Sequence, residues 1–458
     1  MASVGCANSV ADADPITGLL QQSCVVPALA AGRQLVSVNL DRQFQTMDGF
    51  GSTERVFDDP HVTETFNSQT ARAGVVVPQA EQAKILAALY TELGLTRVRY
   101  NPRDPAPGKV TGLEPLNDND NPNLTDLSRF DFGWKNNDAH IAFVKTAQPF
   151  GLKVYFASPL TLESWMSEAN PEEYVEWAMA IQRRWRDQGL EMPYYSIVNE
   201  PGFSGSGIWS AEWLRSTTKL LGAKLRAEGF STKLVIPDDV SAAEAYRRAS
   251  IVLADPAARQ YVGAIAYHLY DDRSGRDKLK QLGETYSIPV WMTEYALAKP
   301  FEWANLIHEE IADYGVSALD MQWGFFGQWE STDSHLITLV HNGSTYQGWR
   351  RTKSFYTMGQ YSRFVRPGAR RVDVTGAGGL KVTAFKQGDE VVIVLITPDG
   401  SGSTPVTFDL AGAQCSGKAA GVRTSASEDW APLPDATLVG GRFEAALAPG
   451  SVTTFVVK

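Results

Sequence analysis

Between Thr46 and Gly324 the sequence alternates, eight times over, between a short strand-like run and a longer run with helical spacing. The strand-like runs are Thr46–Phe50, Thr96–Tyr100, Lys153–Ala157, Tyr194–Val198, Lys233–Pro237, Val262–His268, Pro289–Thr293 and Ala318–Gly324. Helical patterns lie between them, for example at Gln79–Leu93, Asp138–Phe150, Pro171–Gln188, Ala211–Ala227 and Phe301–Tyr314. The third of these opens with Asn170 as a cap, proline in its first position and acids in its first turn. Neighbouring strands that run parallel need a long crossover, so this alternation predicts a parallel sheet. Eight repeats predict that the sheet closes into a (β/α)8, or TIM, barrel. An open doubly wound sheet would want G-x-G-x-x-G after its first strand. Met47-Asp48-Gly49-Phe50-Gly51-Ser52 lacks that spacing.

After Gly368 the pattern changes to short strands separated by glycine, proline and aspartate turns. Arg371–Val374, Leu380–Lys386, Glu390–Ile396, Val406–Leu410 and Ser451–Val457 read as an appended antiparallel β-sandwich. The expected organisation is an N-terminal arm over 1–32 and a strand over 33–45 that joins the sandwich. The catalytic barrel then spans 46–364 and the sandwich 365–458. A chain of 458 residues is long enough for one large domain and a smaller one.

The net charge of −10 leaves no electrostatic footprint for nucleic acid. No apolar run approaches the ~18 residues that span a membrane, so no membrane insertion is expected. The first residues lack the basic segment and apolar core of a secretory signal. That leaves a secreted or periplasmic mature chain, or a cytoplasmic one. Cys6 and Cys24 are close enough for a small disulfide loop, with Cys415 left over. The six histidines show no metal-ligand spacing, so neither a metal nor another cofactor is expected. No G-x-S-x-G elbow suggests a serine hydrolase. The oligomeric state is open.

Two segments carry the chemistry: Ser196-Ile197-Val198-Asn199-Glu200-Pro201 and Val290-Trp291-Met292-Thr293-Glu294-Tyr295. Each ends a predicted strand on a glutamate, and catalytic groups of this barrel stand at the C-terminal strand ends. Glu200 follows the fourth strand and Glu294 ends the seventh, so both reach one mouth. Two carboxyl groups across a sugar supply an acid and a nucleophile for cleaving a glycosidic bond, provided one holds a proton. Asn199 is placed to hydrogen-bond the sugar 2-hydroxyl. Asp238-Asp239 and Asp271-Asp272 stand at the same mouth, but adjacent residues point apart, which predicts solvated or capping roles.

These motifs, with three more segments, resemble glycoside hydrolase family 30 of clan A. The segments are Met47 to Gly51, Ala157-Ser158-Pro159 with Ser164-Trp165-Met166, and Lys353-Ser354-Phe355-Tyr356 running on through Tyr361 to Gly368. The resemblance implies a retaining β-glycosidase with Glu200 as acid/base and Glu294 as nucleophile. It implies that Arg99 steadies the nucleophile, and that His268 and Tyr270 hydrogen-bond the sugar or the nucleophile. Trp323 would floor the innermost sugar site, and Trp165 would contact sugar or close the cleft wall. Core packing or structural ion pairing is the competing role for each. The branch of this family that cuts glucuronoxylan holds the acidic side group with an arginine after strand eight. Phe325 to Trp349 contains no arginine or lysine, while Phe325, Phe326 and Trp329 offer stacking faces. A neutral β-glycan of the β-1,6-glucan, galactan or xylan type is therefore the expected substrate. A carbohydrate-binding protein without catalysis, or a purely structural barrel, is the alternative. The loops over 54–78 and 101–132 are long enough to shape the cleft and to decide endo or exo action.

Overall fold

The structure is a computed structural model that describes residues 26, 28–53, 57, 76–102, 113–133, 137–205, 207–296, 298–327, 335–343, 345–400, 402–411 and 415–458. The chain enters on a long strand, β1 (Gln34–Thr46), and then starts the barrel with β2 (Gly49–Thr53). The barrel continues with β3 (Arg97–Tyr100), β4 (Val154–Ala157), β5 (Tyr194–Ser196), β6 (Lys233–Asp239), β7 (Val262–His268), β8 (Val290–Glu294) and β9 (Ala318–Met321). All eight pair in parallel, and β2 closes the ring against β9. The (β/α)8 fold expected from the alternation is the fold observed.

The first barrel strand starts three residues later than predicted, because Thr46 belongs to β1 and pairs with Arg370. Met47 N–H donates to Ala369 O at 2.8 Å and Asp48 N–H to Ser317 O at 2.7 Å, which hands the chain from one sheet to the other. Two glycines make this strand possible. A Cβ at Gly49 (φ 116°) would overlap Thr96 Oγ1, and one at Gly51 would overlap both members of the Arg97–Asp320 ion pair. That pair is bidentate, at 3.1 Å on each arm, and lies inside the barrel under the face of Trp291. Arg97 and Arg99, two residues apart on β3, both point inward as strand alternation requires.

The outer helices are α1 (Gln79–Leu86), α2 (Asn137–Ala147), α3 (Pro171–Asp187), α4 (Ala211–Ala227), α5 (Ala242–Ala254), α6 (Pro256–Arg259), α7 (Arg276–Tyr286), α8 (Pro300–Ala312) and α9 (Lys353–Ser362). At the start of α3, Pro171 and the first-turn acids stand as predicted, but the Asn170 side chain makes no capping hydrogen bond. The eighth strand also differs from its predicted span. It ends at Met321, and β10 (Trp323–Gly327), β11 (His335–Asn342) and β12 (Thr345–Arg351) form a separate three-stranded sheet at the barrel mouth.

The C-terminal β domain is built from β13 (Arg370–Thr375), β14 (Lys381–Gln387), β15 (Glu390–Thr397), β16 (Thr404–Ala411), β17 (Ser416–Thr424), β18 (Ala431–Val439), β19 (Arg442–Leu447) and β20 (Ser451–Val457), together with β1. Its neighbours are antiparallel except for β1 and β16, whose parallel pairing closes the domain into a ring. Phe408, Phe443 and Phe455 fill its core. Its other face joins the barrel core through Phe385, Val392, Val394, Ile396 and Val452. Cys415 corrects one expectation, since it is disulfide-bonded rather than left over. The expected Cys6–Cys24 loop lies outside the described residues, as do Trp329 and most of 54–78. Among the described residues, no helix is long and apolar enough to cross a membrane.

Candidate active site

Glu200 lies four residues past the end of β5 and adopts a left-handed backbone conformation (φ 48°). So does Asp238 at the end of β6 (φ 60°). Such a conformation costs a non-glycine residue about 1–2 kcal/mol. The two residues support each other, because Glu200 N–H donates to Asp238 O at 2.9 Å. The turn is locked from outside by Asp239. Its Oδ1 accepts Gly202 N–H at 2.9 Å, and its Oδ2 pairs with Arg248 at 2.9 Å. Glu294 needs no such turn. It is the last residue of β8, in register with His268 at the end of β7.

Within this frame the side chains converge on Arg99, which is completely buried. Arg99 reaches Glu294 Oε2 at 2.7 Å, Asp238 Oδ2 at 3.1 Å and Ser158 Oγ at 3.2 Å, and it also bonds Asn199 Oδ1. That last bond fixes which way the Asn199 amide faces. Asp238 further accepts Ser158 Oγ–H and Thr293 Oγ–H, each at 2.5 Å. Burial would push the Asp238 carboxyl up, but Arg99 and His268 outweigh it and hold it far below the usual carboxylate range. Burial in turn pulls Arg99 down, but Asp238, Glu294 and Glu200 hold it above its ordinary value.

His268 connects this hub to the other glutamate. Its Nδ1 lies 2.8 Å from Glu200 Oε1 and its Nε2 lies 3.3 Å from Asp238 Oδ1. Burial opposes a charged ring, yet Glu294 and the hydrogen bonds to Asp238 and Glu200 raise its pKa to about 10. At neutral pH both ring nitrogens therefore carry protons and both donate. Tyr270 completes the set: its hydroxyl stands 3.2 Å from Glu294 Oε1 and 3.2 Å from Gln322 Oε1, and burial with the two nearby glutamates drives its pKa well up. One ligand atom each from Glu200, His268 and Glu294 lie within 4.8 Å of one another. Both ring nitrogens of His268 in this trio are already engaged, Nδ1 with Glu200 and Nε2 with Asp238.

The structure thus gathers Glu200, Glu294, Asn199, Arg99, His268 and Tyr270 at one mouth. The tryptophans sit differently. Trp323 is buried at the start of β10 and stacks on Phe326 (4.6 Å, 24°). Trp165 is half-buried and donates Nε1–H to Glu114 O at 2.7 Å, which ties the 113–133 segment to the mouth. Phe325 and Phe326, expected as stacking faces, are fully buried, with Phe325 stacked on Phe57 at 4.7 Å. Phe325 joins the barrel core, while Phe326, on the other face of the strand, packs against Trp323 and His335. Asp238 was misjudged as a solvated or capping residue, and Asp239 is the capping one. Ser158 and Thr293 stand inside the quoted motifs without a role of their own, and Gln322 carries no signal in the sequence. The one signal that could have found Asp238 is the strand-end rule that found the glutamates.

No family model matches the chain. In sequence it is similar to glucuronoxylanase XynC of Bacillus subtilis, 26% identical over 284 residues that cover 60% of this chain and 63% of that protein. The chain therefore spans less than two thirds of that relative's length. In structure it is similar to the catalytic domain of the GH30 xylanase C from Talaromyces cellulolyticus, with a TM-score of 0.73 and 23% identity over 93% of this chain and all of that one. It is also similar to an endo-β-1,6-glucanase, with a TM-score of 0.68 and 18% identity over 92% of this chain and 93% of that one. In sequence and in fold, then, the resemblance lies with glycoside hydrolase family 30, the family to which the strand-end motifs point.

Proposed function

We propose that the protein is a retaining β-glycoside hydrolase, with Glu200 as acid/base and Glu294 as nucleophile. The observation that carries this is the approach of the two carboxylates to within 4.8 Å across the barrel mouth. Retaining enzymes hold their carboxyls ~5–5.5 Å apart, whereas inverting ones leave room for a water. Glu294 Oε2 is held by Arg99, and Glu200 Oε1 accepts from His268, so Glu200 Oε2 is the oxygen left to carry the proton. With that proton in place, two cations (Arg99, His268) face two carboxylates (Asp238, Glu294). A balanced buried cluster of this kind avoids the cost of an unpaired charge.

In the first step Glu294 attacks the anomeric carbon while Glu200 protonates the glycosidic oxygen. The C–O bond breaks and the leaving group departs with the proton. In the second step the Glu200 carboxylate takes a proton from water, whose oxygen displaces Glu294 from the same carbon. The Asn199 amide, oriented by Arg99, is the group we assign to the sugar 2-hydroxyl.

A neutral β-glycan of the β-1,6-glucan, galactan or xylan type is the substrate class proposed. Arg273, a cation near the mouth, is engaged with Tyr295 Oη at 2.8 Å and Leu269 O at 3.3 Å. The named activities of the similar xylanase and endo-β-1,6-glucanase support this range. Export is also proposed, since a disulfide at Cys415 suits an oxidising compartment.

Azide separates the two glutamates. Glu294→Gly with azide should yield a glycosyl azide of inverted configuration, and Glu200→Ala one of retained configuration. The opposite pairing would overturn the roles, and product analysis on a panel of β-glycans identifies the sugar and the cleavage mode.

A further inference from the structure

A cavity of about 150 Å³ lies among the outer helices of the barrel, walled by the 122–125 stretch, α3 and α4. None of its lining residues belongs to the catalytic mouth. It opens to solvent past Asn123 and Glu172, which are exposed. An apolar cavity of ~150 Å³ holds a benzene ring, so this one has room for a single six-membered ring. Its shape is set before anything binds. Arg183 grips Glu228 at 2.6 and 2.9 Å and bonds Thr125 Oγ1 at 3.4 Å, which ties the stretch to α3. Asn119 Nδ2–H donates to Leu124 O at 2.6 Å and Asn123 N–H to Asn121 Oδ1 at 3.2 Å, so the stretch is held from within as well.

Glu176 gives the cavity its chemistry. The residue is 5% exposed, and among the described residues nothing donates to its Oε1. A buried oxygen left without a donor is costly and rare in a folded protein, so it calls for a partner. Charge decides the class of that partner. Glu172 and Glu176 line the cavity together with Arg183 and Lys224, two acids against two bases. An anion would face the carboxylates, and a cation the guanidinium and ammonium, so the matching ligand is neutral. Hydroxyl groups suit this lining, because each can donate to a carboxylate and accept from Lys224 or the Asn123 amide. The rest of the wall is aliphatic, made by Pro122, Val175 and Leu220. A pyranose is a neutral six-membered ring with hydroxyls at its rim and C–H groups on its faces.

We propose that this cavity is a second, non-catalytic carbohydrate site that holds one pyranose, either a free sugar or one residue of a glycan. That the sugar belongs to the substrate glycan rests on the glycosidase reading above. Such a site keeps a bound chain near the mouth and raises its effective concentration there. No aromatic side chain is among the lining residues, so hydrogen bonds carry the binding, with a Kd of roughly 1 mM.

The test uses the full chain carrying Glu294→Gln, so that glycans stay intact, with leucine and valine methyls labelled for NMR. The Val175 and Leu220 methyls report on the cavity itself. D-xylose, D-glucose and D-galactose are titrated beside β-1,4-xylotetraose, β-1,6-glucotetraose and β-galactotetraose, with glycerol as the control. Both residues should show saturable shifts with at least one sugar and none with glycerol. Equal affinity for a sugar and its tetrasaccharide would assign the site to a free sugar, and tighter binding of the tetrasaccharide to a residue within a chain. Glu176→Leu should weaken binding about tenfold, as loss of one well-placed hydrogen bond does. Leu220→Trp, which fills the cavity, should abolish the shift at Val175. No saturable shift with any sugar, equal shifts with glycerol, or undiminished binding in both variants would overturn the site. Cleavage of the same tetrasaccharides by the unaltered chain is measured alongside. Cleavage without methyl shifts would remove the site and leave the glycosidase reading standing, whereas shifts without cleavage would do the reverse.

Discussion

Arg99, His268, Ser158 and Thr293 all hydrogen-bond to the one carboxylate of Asp238, which is completely buried. Asp238 holds the residues that hold the two glutamates, so it acts as a positioning residue. Asp238→Asn keeps the shape and removes the charge. His268 then loses one of the groups that favour its charged form, and burial acts on it with less opposition. In the parent, ring-nitrogen NMR should show both nitrogens protonated through pH 8. In Asp238→Asn the midpoint should fall by at least about one unit, with kcat down about a hundredfold and KM changed far less. An unmoved His268 midpoint would remove Asp238 from this role. The two glutamates were legible because Glu294 closes a strand, Glu200 follows one closely, and both are flanked by motif residues. Asp238 was not, since its inward direction comes from the left-handed backbone at that residue, and no period in the sequence encodes it.

At the scale of elements, the segment over 113–133 packs beside α3 through buried carboxyl groups as well as apolar ones. Glu114, Glu163, Glu173 and Glu176 are all buried there. Glu114 accepts Asp118 N–H at 2.8 Å, and its own N–H donates to Glu163 Oε1 at 3.0 Å. Burial, with Asp118, Glu176 and Glu163 nearby, raises Glu114 from 4.5 to about 8, against the pull of the Asp118 N–H bond. Glu173 and Glu176 are raised too, mainly by burial. A carboxyl whose folded pKa is raised binds its proton more tightly when folded. Its stabilising effect is full below pH 4.5 and is lost as pH rises toward 8. The urea midpoint should therefore fall across that window, and Glu114→Gln should flatten the slope. An unchanged slope in Glu114→Gln would place the effect elsewhere. Asparagine, aspartate and proline in this stretch announced a loop. That its neighbours bury acids was not readable, because the burial arises where the loop folds back over α3. The strands β17 to β19 were missed for a related reason, since exposed residues interrupt their alternation.

The two domains form one cooperative body, because the barrel core runs without a break into the β domain. Helix α9 is the hinge of that contact. Gln360 bonds Thr424 at 2.8 Å and accepts Thr454 Oγ–H at 2.6 Å, and Lys353 reaches Ser425 O at 2.9 Å. Gly359, in the middle of α9, lies flat against the ring of Trp430, whose Nε1–H donates to Tyr356 O at 2.8 Å. Trp430 itself sits in the left-handed region (φ 51°), so its backbone has little freedom to retreat. In an exposed helix, replacing glycine by alanine gains roughly 0.5–1 kcal/mol. Here the added Cβ would overlap Trp430 and press on Leu93, and such overpacking costs about 1–3 kcal/mol. The second effect outweighs the first, so Gly359→Ala should lower the melting temperature instead of raising it. Because the core is shared, tryptophan fluorescence and loss of activity should still report a single transition, shifted by the same amount. Two separate transitions, or a higher melting temperature, would mean that the barrel and the β domain are stabilised independently and that α9 does not couple them.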